Sequence, residues 1–96
     1  MTSSSEYDIM IAAIKEFGPA AQIDMAIEEC AELIKELSKY KRFKNNIPTV
    51  KEELADVSIM LKQMFFIFGD FSTIEQKKLS RLEHRLKIGK WEDFDK

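Results

Sequence analysis

Two short acidic runs hold most of the chemistry in this chain: Glu28-Glu29-Cys30-Ala31-Glu32 and, after a gap of 20 residues, Glu53-Leu54-Ala55-Asp56. Each contains carboxylates spaced i, i+3, Glu29 with Glu32 and Glu53 with Asp56. On a helix that spacing sets two carboxylates on neighbouring ridges, close enough to share one hard cation if a second helix brings the remaining oxygens. Glu28 and Glu32, and likewise Glu52 and Asp56, are like charges at i, i+4, each pair disfavoured by about 0.2–0.5 kcal/mol without a compensating cation. At about 100° per residue, Glu53 falls in the same arc as Val50, Val57, Met60 and Met64. An ionised carboxylate drawn out of water must shift its pKa or find a counter-ion. A solvated pair of acidic helix faces is the plainer reading of such runs, and it leaves Glu53 without a reason to sit among apolar neighbours.

Four helices are expected to position these residues. Two prolines and three glycines lie where helical periodicity breaks, which marks short connections. A first helix is expected over about Ser5 to Phe17, capped by the serines and ended by Gly18. Pro19 suits the first turn of a second helix, whose apolar face is read as Ile23, Ala26, Ile27, Cys30, Ile34 and Leu37 and continues to about Tyr40. Lys41 to Ile47 reads as a loop. Thr49 with Glu52, and Ser72 with Glu75, read as capping boxes opening a third helix to about Phe68 and a fourth to about Ile88, with Gly69 and Gly89 as stops. Trp91 and Phe94 stand among charges in the last residues. The whole is an all-α, four-helix bundle-like domain. Apolar residues on opposite sides of the third helix, Ile59 and Phe66 against Val57 and Met64, suggest that a second subunit covers part of it.

Composition bounds the function classes. A chain of 96 residues makes one domain with a modest core of its own. The formal charge of −2 gives no basic field for nucleic acid. Cys30 is the single cysteine, so no internal disulfide forms, a cysteine-built zinc site lacks its ligands, and a reducing cytoplasmic location fits. No segment has the length and apolarity of a membrane span, and the start MTSSSEYDIM lacks the pattern of a secretory signal.

Written together, EExxE, a helix-turn-helix spacer and ExxD form a pattern that resembles the MazG-like, all-α nucleotide pyrophosphatase family. The resemblance covers about Gln22 to Met64 and shows no departure at the acidic positions. It implies Mg²⁺, with Mn²⁺ as a substitute, held by Glu29, Glu32, Glu53 and Asp56, with Glu28 either supporting those ligands or acting in catalysis by orienting water. Glu52 is left as a capping residue. It further implies cleavage of ribo- or deoxyribonucleoside triphosphates to monophosphate and pyrophosphate, in a homodimer or homotetramer. Phosphoribosyl-ATP pyrophosphohydrolases resemble the same pattern and remain an alternative, as does a non-catalytic helical interaction protein.

A polyphosphate needs cations beyond the metal. Lys78, Arg81 and Arg85 share one stripe of the fourth helix, and Lys39 lies on the same side of the second helix as Glu32, two turns away. The stripe is equally well read as a solvated basic face beside Leu79, Leu82 and Leu86. Gln22, which precedes the acidic face, and Trp91, Phe94, Tyr7 and Tyr40 are all candidates for recognising the base, and His84 reads as a surface residue. The expected partner is thus a nucleotide, with neither nucleic acid nor membrane.

Overall fold

The structure, a computed structural model, describes residues 5–88. These residues form four α-helices and no strand: α1 (Glu6–Phe17), α2 (Pro19–Phe43), α3 (Ile47–Phe68) and α4 (Ser72–Lys87). Gly89, Trp91 and Phe94 lie outside the described residues. Among the described residues no helix is long and apolar enough to cross a membrane.

α1 opens on a capping box in which the Ser5 hydroxyl accepts from the Asp8 amide at 3.1 Å, while the Asp8 carboxylate accepts from the Ser5 amide. Gly18 has φ +89°, with ψ 150°, a conformation open almost only to glycine. It turns the chain directly into α2, with Pro19 in the first turn. Gly69, φ +100°, makes the equivalent break after α3.

α2 and α3 are the principal packed pair. α2 runs three residues beyond Tyr40, to Phe43, where Lys44 takes the left-handed conformation and donates to the Tyr40 carbonyl at 2.9 Å. The connection is therefore only Lys44 to Asn46, and α3 begins at Ile47 instead of after Thr49. Pro48 explains the early start, because its fixed φ and missing N–H suit a first helical turn. The expected capping box of Thr49 and Glu52 is absent: Asn46 is the N-cap, without a side-chain cap bond. Its amide instead donates across the loop to the Glu36 carbonyl and to Glu36 Oε1, both at 3.0 Å. Partners such as Gln22 with Gln63 and Glu36 with Asn46 put the start of α2 beside the end of α3, so the hairpin is antiparallel. α1 packs across both helices, joined to α3 by a Glu6–Lys62 ion pair and an edge-to-face contact of Tyr7 with Phe66.

Two expectations about packing are corrected. The side of α2 turned toward α3 carries Gln22, Ala26, Glu29, Leu33 and Glu36, whereas Ile27, Cys30, Ile34 and Leu37 are exposed. The most apolar stripe of α2 therefore lies beside its buried face, because the seam with α3 is laced with polar groups. Second, α4 does not complete a four-helix bundle: it makes no helix-packing contact with α1, α2 or α3. Its start is tied down by Phe71 against Phe65, at 5.5 Å between ring centres. Ser72 and Glu75 form no capping box, since Phe71 is the N-cap and Asp70 instead accepts from the Ser72 amide at 2.8 Å and from its hydroxyl.

The resulting core is small. Met10 and Met60 are the buried apolar side chains of the described residues, and Gln22, Glu36 and Gln63 are buried with them.

Candidate metal centre

Helix phase brings the acidic runs together. Glu29 on α2 faces Glu53 and Asp56 on α3, and one carboxylate oxygen from each lies within 4.8 Å of the others. Glu29 and Glu53 are half-buried and Asp56 is exposed, so the cluster is open to solvent on the Asp56 side. Glu53 Oε2 is enclosed and has no hydrogen-bond partner. That atom is the costly one, because an unpaired carboxylate oxygen away from water needs a cation or a proton.

The electrostatics agree with the crowding. Loss of water pushes the Glu29 carboxyl above its ordinary value, and the charges of Asp56 and then Glu53 push it further. Glu53 is also raised, first by loss of water and then by the charges of Asp56, Glu32 and Glu36. Three hard oxygen donors drawn from two helices are a donor set that fits a divalent cation such as Mg²⁺, which takes carboxylates together with water or phosphate oxygens.

Glu32 is not in the tight cluster. It lies exposed one turn along α2, near enough for its charge to be felt at Glu53. Glu28 is exposed and contributes its charge to Glu29.

Other expected site residues are placed differently. Gln22 is buried, and its amide nitrogen donates to Gln63 Oε1, so it is engaged within the seam and unavailable to read a base in this arrangement. Lys39 pairs with Glu36 at 3.4 Å. Lys78, Arg81 and Arg85 stand exposed on α4, which does not approach α2, so the fold of one chain does not bring this stripe to the carboxylates. Glu52 is exposed and caps nothing.

Comparison with protein-family models, with curated proteins and with solved structures finds no match to this chain. The site must therefore be read on its own geometry.

Reading from the sequence passed over Glu36 and Gln63. Glu36 is a buried carboxylate held by Asn46 and Lys39. The hydrogen bond from Asn46 sets it below its ordinary value against the upward pull of burial, and Lys39 adds to the lowering. A signal was available: Gln22, Glu29 and Glu36 follow one another at seven-residue intervals, as do Asp56 and Gln63, so each set occupies one helix stripe. The α2–α3 seam is a polar ladder, with an amide pair at one end, the carboxylate cluster between, and the Glu36–Asn46 latch at the other.

Proposed function

We propose that this protein is a Mg²⁺-dependent nucleotide pyrophosphohydrolase, cleaving ribo- or deoxyribonucleoside triphosphates to the monophosphate and pyrophosphate. The observation that carries the reading is the convergence of Glu29, Glu53 and Asp56 around an enclosed, unpartnered Glu53 oxygen. The MazG-like pattern of acidic residues supports the same reaction class. Glu29, Glu53 and Asp56 would hold the cation, with Glu32 reaching it through water or phosphate. The cation would supply charge neutralisation for phosphate oxygens and activation of water. Glu28, at the rim, is the carboxylate left to orient the attacking water and accept its proton.

The chain's own part is positional. α2 and α3 fix the carboxylates from two rigid elements, and Asp56 leaves the mouth open to a solvated polyphosphate. Assembly into a homodimer or homotetramer belongs to the same reading, supported by the small core and by the many exposed apolar side chains. Lys78, Arg81 and Arg85 would reach substrate only in such an assembly.

The test is incubation of the full chain with a panel of nucleoside triphosphates, in Mg²⁺ and in chelator, with pyrophosphate detected separately from orthophosphate. The reading expects metal-dependent pyrophosphate release that Glu53→Gln lowers by at least about 100-fold, the scale of losing an electrostatic contact to the transition state. Phosphoribosyl-ATP belongs on the panel, because the carboxylates do not distinguish it. No release from any of these substrates, at any Mg²⁺ concentration, would reject the reaction and favour a helical interaction protein.

A further inference from the structure

Among the described residues, two surfaces lack a partner, and both are apolar. The first is an open apolar groove of about 620 Å³ between α1, α3 and the first turn of α4, with Tyr7, Leu54, Val57, Leu61 and Phe66 in its wall. The second is the far part of α4, where Leu79 and Leu86, 54% and 56% exposed, flank the half-exposed Leu82. The groove wall already includes Phe71 and Glu75 from the root of α4. The leucine stripe thus continues the groove's chemistry along a helix that leaves its own body.

We propose that α4 of a second copy of this chain fills the groove, and that the exchange is reciprocal across a two-fold axis. Charge favours this occupant. α4 carries Lys77, Lys78, Arg81, Arg85 and Lys87 against Glu75 and Glu83, whereas the charged side chains in the groove wall are Glu6 and Glu75 against Lys62. Such opposite surfaces steer association and fix orientation.

Area favours it too. Eighteen large apolar side chains among the described residues stand 38% exposed or more, an apolar surface that a partner would cover. A standard-size interface removes about 800 Å² from each partner, and obligate ones remove more. One helix laid in one groove, twice over, is on that scale.

The proposal specifies the oligomer named in the preceding reading, and its test does not depend on catalysis. The full chain is measured by light scattering after size exclusion, beside Leu82→Asp on α4 and Leu61→Asp in the groove. The wild type is expected at twice or four times the single-chain mass, and each variant is expected to halve it with helicity unchanged by circular dichroism. Should Leu61→Asp lose helicity, Tyr7→Asp, at a side chain already 60% exposed, is read in its place. Mixing the α4 variant with the groove variant restores one intact contact per pair, so the mixture is expected to dimerise at a lower concentration than either variant alone. A monomeric wild type would overturn the proposal, as would groove variants that leave the mass unchanged. Dissociation by Leu82→Asp alone, without rescue on mixing, would show α4 pairing with α4 and would overturn it equally. Pyrophosphate release by a wild-type monomer would retain the catalytic reading and reject only this interface.

Discussion

Glu53 is the residue on which the chemistry turns, and its environment makes a pH prediction with a definite sign. The carboxyls of Glu29 and Glu53 are raised above 4.5 by loss of water and by neighbouring acids. In the metal-free protein they hold their protons to higher pH than in the unfolded chain. Their contribution to stability is therefore fully present below the unfolded value and is lost as pH rises through the folded one. Glu36 and Asp70 are lowered, by Asn46 and Ser72, so theirs is present above the unfolded value and lost as pH falls through the folded one. The chelated protein is expected to melt at a higher temperature near about pH 5 than near about pH 8, and Mg²⁺ is expected to remove or reverse that difference. Thermal melts by circular dichroism check both halves. The position of Glu53 was legible in the sequence, because an acid at a core phase of a helix is visible from spacing alone. Glu36 shares the Glu29 stripe by spacing, but its partner was not legible, because that depends on Asn46 folding back from a connection shorter than expected.

At the scale of elements, the α2–α3 hairpin is held by apolar contacts and by a buried amide pair. Gln22→Leu alone leaves the Gln63 amide enclosed without its partner, and Gln63→Leu does the same to Gln22. Either is expected to cost about 1–3 kcal/mol in denaturant unfolding, and the double substitution less than the sum. Equal and additive losses would show that the bond is not formed in solution. Helix number and the two glycine breaks were readable from the sequence because Gly18 and Gly69 take conformations that few other residues adopt. α4 starts at Ser72 as expected and α3 starts two residues early, but the capping of both was misread. Thr49-x-x-Glu52 and Ser72-x-x-Glu75 match a capping box in letters, yet Pro48 opens α3 and Asp70 takes the Ser72 amide and hydroxyl.

For the whole molecule, the expectation of four helices closing on one core is where the sequence misled most. Leu79, Leu82 and Leu86 mark α4 as having an apolar face, but periodicity states only that the face is covered and not by which chain. An assembly that buries this face makes stability depend on concentration, so the midpoint of thermal unfolding is expected to rise with protein concentration in the wild type and to become independent of it in Leu82→Asp. The assembly and the reaction both leave the cation site as the central claim, and it can be tested without a substrate. The most direct measurement is titration of the full chain with Mn²⁺, reading the free ion by electron paramagnetic resonance, beside Glu53→Gln and in competition with Mg²⁺. The account predicts Mn²⁺ bound at the carboxylate cluster of each chain, displaced by Mg²⁺ and lost in the variant. A free-ion signal equal to that of buffer in the wild type, or unchanged binding in Glu53→Gln, would contradict it.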